Sequence, residues 1–163
     1  MQQSVAAQNA TVAVLDSPLQ VEESVQRLRQ SGFDLNNISA VARDRHPEQR
    51  VVAHYGIGGQ TRDEGQFGLF WAGMWALLSG SGYLDIPDLG PLLVAGPLGG
   101  WIVAALENKG VFGGLSALGA SLYGLGIPKD AVLRCEAAVQ MDKFLLVAHG
   151  SVEEVGKARV IIR

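Results

Sequence analysis

Apolar and polar positions at the start of the chain follow a strand pattern and then a helix pattern. The apolar run at 11–16, rich in β-branched residues, predicts a strand. Ser17, followed directly by proline, marks a helix start, and apolar residues then recur at helical spacing as far as Leu28. Gly32 marks the helix end, and the apolar run at 38–43 predicts a second strand. The segment therefore predicts a β-α-β unit.

The C-terminal part of the chain predicts a similar order of strand and helix. An amphipathic helix begins at Pro128, an apolar strand covers 143–150, and a final helix covers 151–162. Near the start of that last helix, Ser151 and Glu154 have the spacing of a capping box. Because the two ends share a strand-then-helix phrase, the sequence predicts an α+β fold with a small ferredoxin-like sheet and helices on one face.

The length of 163 residues indicates one domain. Residues 1–10 are small and polar and predict a flexible N-terminal tail, which leaves a single α+β domain at 11–163. A polar loop is predicted at 44–64, and a hydrophobic, Gly-rich insertion follows it at 65–128. The insertion separates the two strand-and-helix halves of the domain.

Charge is almost absent from the insertion. It contains four charged residues, whereas the whole chain contains 13 Lys and Arg and 16 Asp and Glu. It also contains 15 of the 21 glycines and all three tryptophans. The segregation of charge away from this one segment makes it the strongest candidate for an interaction surface.

Three uncharged runs of 18–20 residues lie in the insertion, and that length raises the question of membrane spans. The runs cover 65–84, 89–106 and 110–128. Pro91 and Pro97 prevent the middle run from forming one straight helix, so it predicts a buried strand at 92–95 followed by a short helix. No cluster of Lys and Arg flanks the other two runs. The sequence therefore favours a helical hairpin interrupted by glycine, with insertion of the block into a membrane as the alternative.

Aromatic and small residues in the insertion have the spacing of helix contacts. Three aromatic residues, each four positions after the last, form one stripe on a predicted helix, and small residues four apart let helix backbones approach closely. Such a surface packs either within the subunit or between subunits. The predicted oligomerisation residues are Phe67, Trp71, Trp75, Gly96, Gly100, Trp101, Gly110, Gly114, Ala120 and Gly124.

Three phrases of the sequence resemble a known family. They are TVAVLDSPLQVEESVQRLRQSGFDLNNISAVAR, IPDLGPLLVAGPLGG and GLGIPKDAVLRCEAAVQMDKFLLVAHG. Together they are similar to the small bacterial general stress proteins that carry the heat-induced stress protein (YflT-like) domain, over about residues 11–162. The resemblance implies a stress-associated protein and supplies no active-site residues. The phrase FGLFWAGMW departs from the Gly, Ala and Leu expected of the family at that place.

The sequence contains no catalytic or cofactor motif that stands out. His46, His54 and His149 lie in three separate segments, so no metal site is expected. Cys135 is the single cysteine, which excludes an intrachain disulfide, and its setting predicts a buried hydrophobic residue. The net charge of −3 gives no general attraction for nucleic acid. We expect a non-enzymatic cytoplasmic protein without a cofactor, whose partner is a second copy of itself.

Overall fold

The computed structural model describes residues 3–6, 9–44, 70–75, 77 and 78, 81–87, 89–107 and 114–162. The strands are β1 (Gln3–Ala6), β2 (Ala10–Leu15), β3 (Ile38–Arg43), β4 (Ser81–Ile86), β5 (Gly90–Ala95) and β6 (Phe144–His149). The helices are α1 (Pro18–Gln30), α2 (Leu98–Glu107), α3 (Ala117–Gly124), α4 (Lys129–Gln140) and α5 (Val152–Ile161). A short 3-10 turn covers Leu35–Asn37. Residues 70–75 and 77 are also helical, and with residue 78 we call them the aromatic segment.

The six strands form one sheet in the order β1-β2-β6-β3-β5-β4, and every neighbouring pair is antiparallel. Strands β2 and β3 run parallel to each other, because both are antiparallel to β6, which lies between them. Helix α1 therefore forms a crossover connection that passes over β6. The mixture of helices with an antiparallel sheet confirms the α+β class.

Helices cover both faces of the sheet, which corrects the prediction of helices on one face. Helices α1 and α5 and the aromatic segment pack on one face, and α2, α3 and α4 pack on the other. In β6, Leu145 and Val147 point to the second group, whereas Phe144 and Leu146 point to the first, and all four are buried. A strand that is buried on both faces has a continuous apolar run instead of an alternating one. The run at 143–150 has this continuous apolar pattern.

The insertion contributes strands to the sheet as well as helices. Strands β4 and β5 form an antiparallel hairpin, and β5 pairs with β3, with Val94 opposite Val41. The predicted strand at 92–95 and the short helix after Pro97 are confirmed by β5 and α2. The helix expected across 65–84 is shorter, since the chain is already a strand from Ser81 onward. Tyr83 faces one side of the sheet and its neighbour faces the other, which is strand alternation.

Residues 3–6 form the edge strand β1, in the segment where the sequence predicts a flexible tail. Gln3 lies opposite Val14, and Ala6 lies opposite Thr11. The run QSVA has little strand character of its own. Its conformation follows from the open edge of β2, whose backbone groups need partners.

The helix ends are formed by the residues that the sequence indicates. The Ser17 hydroxyl accepts a hydrogen bond from the backbone N–H of Gln20 at 3.3 Å, at the start of α1. Ser151 and Glu154 form a reciprocal capping box at the start of α5, with N···O distances of 3.2 and 3.0 Å. Gly32 follows α1 with a φ of +89°. These three predictions are confirmed.

Candidate interaction surface

The tryptophans of the aromatic segment pack inside the subunit. Trp71 is 1% exposed, and its ring meets Phe70 edge-on with the ring centroids 5.1 Å apart. The indole N–H of Trp75 donates a hydrogen bond to the backbone carbonyl of Val94 on β5, at 3.0 Å. These rings cover the apolar side chains that β5 presents on this face of the sheet. Trp71 thus packs within the subunit, its role in oligomerisation stays a prediction, and Phe67 lies outside the described residues.

Gly96 also serves the fold of the subunit. Its φ is +102°, a conformation that side chains rarely adopt, and a Cβ there would overlap the carbonyl oxygen of Ile38. Glycine therefore lets the turn after β5 pass close to the start of β3. Gly96 precedes α2, so it cannot share a helix face with Gly100 as the spacing predicts. The contacts described for Gly96 are within the subunit, and its place in an interface stays a prediction.

The other predicted residues that the structure describes include several exposed positions. Gly100 and Gly124 are exposed, and outside their own helix turns no described atom lies within 4 Å of the position of a Cβ on either. Gly114 is exposed in the turn before α3, with a φ of +85°, and Ala120 is half-buried on α3. Gly110 lies outside the described residues.

The outer side of α2 is apolar and exposed. Trp101 and Val103 are each 38% exposed, and Gly100 and Ala104 are exposed beside them. Glu107, the last residue, is the one charged residue in this helix. Soluble proteins seldom expose a helix side of this composition unless it meets a partner.

Helix α3 packs beside α2 and extends this surface. Tyr123 is 57% exposed, and Gly124 next to it is exposed as well. The helix has no charged residue, and its inner residues Leu118 and Leu122 are fully buried. The outer surface of α2 and α3 is defined here as Gly100, Trp101, Val103, Ala104, Tyr123 and Gly124. It contains three of the ten residues that the sequence predicts for oligomerisation.

A carboxylate holds the first turn of α3 in place. The Glu136 carboxylate on α4 accepts hydrogen bonds from the backbone N–H of Ser116, at 2.8 Å, and from its hydroxyl. The Ser116 hydroxyl in turn accepts the N–H of Gly119 at 3.1 Å. A negative charge is favourable at a helix N-terminus, and Gly119 leaves room for it. Helix α3 is thus anchored at one end and exposes Tyr123 near the other.

His149, the last residue of β6, lies beneath the exposed Trp101. Their ring centroids are 5.0 Å apart and the rings meet at 72°. Burial lowers the pKa of His149, although the backbone of Asn37 and the carboxylate of Asp34 act in the opposite direction. Its Nδ1 is buried and makes no hydrogen bond to the described part of the chain. No pattern in the sequence indicates this pair, because 48 residues separate its members.

An open groove of about 1040 Å³ lies on the opposite face of the sheet, between α1 and the aromatic segment. Phe70 and Met74 line it together with Leu19, which is 63% exposed. Its charged lining residues, such as Glu22 and Glu23, are exposed. Catalysis needs polar groups that are positioned and shielded from water, and the described lining of this groove has none.

Across the described segments, no three His, Cys, Asp or Glu side chains are grouped to hold a metal ion. Cys135 is buried as predicted, and burial raises the pKa of its thiol to about 11. His46 and His54 lie outside the described residues. In the same segments, no helix has the length and hydropathy that crossing a membrane requires.

No family model matches the chain, and no curated protein or solved structure is significantly similar to it. The resemblance to the bacterial general stress proteins therefore stays a prediction. The outer surface of α2 and α3 is the feature of the molecule that indicates a function.

Proposed function

We propose that this chain is a non-enzymatic structural protein of the cytoplasm that self-assembles through the outer surface of α2 and α3. The exposed ring of Trp101, on a helix side without charge, is the observation that carries the proposal. Tryptophan and tyrosine are enriched where proteins meet, and charged residues are depleted there. The association with stress comes from the family resemblance alone.

A second copy fits this surface because α2 and α3 pack against each other, and each helix has an exposed aromatic ring next to an open glycine position. Trp101 and Tyr123 project, whereas Gly100 and Gly124 leave open space above the helix backbones. When two copies meet about a twofold axis, each presents the rings that the other's glycine positions can accept. A neutral partner is also favoured, since no buried charge would remain unpaired.

The small aromatic area exposed on α2 and α3 indicates that two copies associate weakly. An aromatic side chain has about 150–250 Å² to bury, so the exposed parts of Trp101 and Tyr123 amount to roughly 200 Å² per copy. Burial of this aromatic area on both copies contributes about 10 kcal/mol to the free energy of association. The loss of translational and rotational freedom largely offsets this contribution. We therefore expect assembly that strengthens with concentration, not a permanent dimer.

The topology supports a related inference about the fold. Strands β2 and β3 enclose β6 as in a split β-α-β unit, and β6 is followed by α5 on the same face as α1. Strand β1 occupies the place beside β2 where a ferredoxin-like chain would put its last strand. We infer a ferredoxin-like core in permuted order, with the β4–β5 hairpin and α2 to α4 inserted between β3 and β6.

Light scattering on the purified chain over a wide range of concentration tests the proposal. We expect the mass to rise with concentration, and Trp101→Ser and Tyr123→Ser to reduce that rise. Val160→Ser is the matched control, because Val160 is 67% exposed on α5, at the other face of the sheet. A monomer at every concentration would overturn the proposal, as would equal effects of the Trp101 and Val160 changes.

Insertion of 65–128 into a membrane as a hairpin is the alternative. It would have to withdraw β4 and β5 from the sheet, where β5 pairs with β3. Co-sedimentation with lipid vesicles separates the two. Binding to vesicles that protects the block from protease would favour the alternative, and assembly in the absence of lipid would favour the proposal.

A further inference from the structure

His149 and the surface proposed for self-assembly share one side chain. Trp101 contacts the imidazole on its inner side, at a centroid distance of 5.0 Å, and faces solvent on its outer side. His149 beside it is half-buried, so a second copy seated on Trp101 would also remove water from around the imidazole. The two events, association and desolvation of the imidazole, are coupled by this contact.

Few charged groups surround His149 in the described part of the chain. Asp34, before the 3-10 turn, is the one whose field acts on the imidazole. On α5, Glu154 lies beside Gly150 but is engaged in the capping box. On α2 the one charged residue is Glu107, at the far end, and β2 faces His149 with Ala10. No described group is hydrogen-bonded to the buried Nδ1, although the backbone of Asn37 favours the protonated imidazole and partly offsets the effect of burial.

We propose that protonation of His149 weakens self-assembly, so that the outer surface of α2 and α3 releases its partner in mild acid. This inference rests on the proposed function. It adds a condition under which the surface is used, and it assigns a role to a residue beneath the surface that the sequence did not indicate.

The direction follows from linkage. Burial already lowers the pKa of His149 in the single subunit, because a low-dielectric setting disfavours the cation. Association buries the imidazole further and lowers this pKa again. Proton binding and association then oppose each other by the same factor. Assembly is therefore strongest where His149 is neutral and weakens as the pH falls through the pKa of His149 in the single subunit, which lies below the usual 6.5.

The overall charge of the chain acts in the opposite direction. The net charge is −3 at pH 7, and acidification first reduces it. Smaller net charge weakens repulsion between copies and by itself promotes association. A loss of assembly in mild acid therefore cannot be caused by the change in net charge. It must be caused by the protonation of a specific group.

Sedimentation equilibrium of the full chain, one unit above and one unit below about pH 6.5, tests the inference. We expect the association constant of the wild type to fall about three- to tenfold, because association lowers the pKa of His149 further. In His149→Phe the association constant should not decrease when the pH is lowered, whatever its absolute value. The double variant His46→Gln with His54→Gln is the control and should keep the wild-type response.

The outcomes separate this inference from the proposed function. Assembly that does not weaken in acid, or a response that His149→Phe retains, overturns the inference and leaves self-assembly standing. A wild-type monomer at both pH values overturns the proposed function, and this inference with it. If His149→Phe does not fold, the NMR titration of His149 in the wild type decides, because its pKa must fall as the protein concentration rises.

Discussion

The Ser39 hydroxyl on β3 accepts a hydrogen bond from the backbone N–H of Leu98, the first residue of α2, at 3.0 Å. Helices leave their first N–H groups without partners inside the helix, and a neighbouring residue in the sequence usually supplies one. Here the partner comes from the sheet, 59 residues earlier in the chain. The bond fixes the start of α2 on the sheet and so sets the direction in which Trp101 points.

Replacing Ser39 should weaken the fold through this bond. In Ser39→Ala the N–H of Leu98 stays buried without its acceptor, so we expect the free energy of unfolding to fall by about 1–2 kcal/mol. Urea unfolding measures it. Ser121→Ala is the control, since the Ser121 hydroxyl donates only to the Ala117 carbonyl within its own helix. A larger loss in the control than in Ser39→Ala would show that the cap contributes little.

Two glycines that look alike in the sequence should respond in opposite directions to alanine. Gly96→Ala places a Cβ on a backbone with φ +102° and against the carbonyl of Ile38, so we expect a loss of about 2 kcal/mol or more in stability. Gly100→Ala adds a Cβ in open space inside a helix and should stabilise the subunit by roughly 0.5–1 kcal/mol.

Thermal and urea unfolding of both variants check this pair of expectations. Light scattering on Gly100→Ala adds a second readout, because the new methyl group fills space that a partner backbone would approach. Higher stability with weaker assembly is the expected combination. Stability that falls in both variants would mean that Gly100 is also confined by contacts of the subunit.

The thiol of Cys135 should be unreactive in the folded chain. Burial raises its pKa to about 11, so almost no thiolate exists near neutral pH. A thiol-specific chromogenic reagent should label the chain slowly until urea unfolds it, and rapidly afterwards. The neutral thiol is favoured in the fold, so its contribution to stability is complete below the usual pKa of 9.0 and is lost as the pH rises toward 11. Rapid labelling of the native protein would contradict the burial of Cys135.

The ends of the chain could be predicted because their structure is decided locally. The apolar run at 143–150, the Ser17 cap and the capping box of Ser151 and Glu154 each carry their signal within a few residues. The strand at 92–95 was predictable for the same reason, since Pro91 and Pro97 bound it. These elements agree with the structure to within one or two residues, the usual uncertainty at the ends.

The insertion was harder to predict because long-range pairing decides which of its residues are exposed. Trp71, Trp75 and Trp101 look equivalent in the sequence, yet the pairing of β5 with β3 places a surface beneath the first two and leaves the third outside. The spacing of Gly96 and Gly100 suggested one helix face. Pro97 between them was a signal against it, since proline favours the first turn of a helix and so separates Gly96 from α2.

The tryptophans give a prediction that separates folding from association. Trp75→Phe removes the indole N–H that the Val94 carbonyl accepts at 3.0 Å, and only an aromatic ring remains to meet Tyr83. We expect the free energy of unfolding to fall by about 1–2 kcal/mol. Trp101→Phe changes an exposed ring and should alter stability by at most about 0.5 kcal/mol. Urea unfolding of the two variants gives both numbers.

Light scattering on the same two proteins completes the comparison. Trp101→Phe keeps a ring on the outer surface of α2 and α3, so it should weaken assembly less than Trp101→Ser does. Trp75→Phe should leave assembly of the folded fraction unchanged, because Trp75 contacts β5 on the opposite face of the sheet. If Trp75→Phe abolished assembly while the subunit stayed folded, the contact surface would lie at the aromatic segment and not on α2.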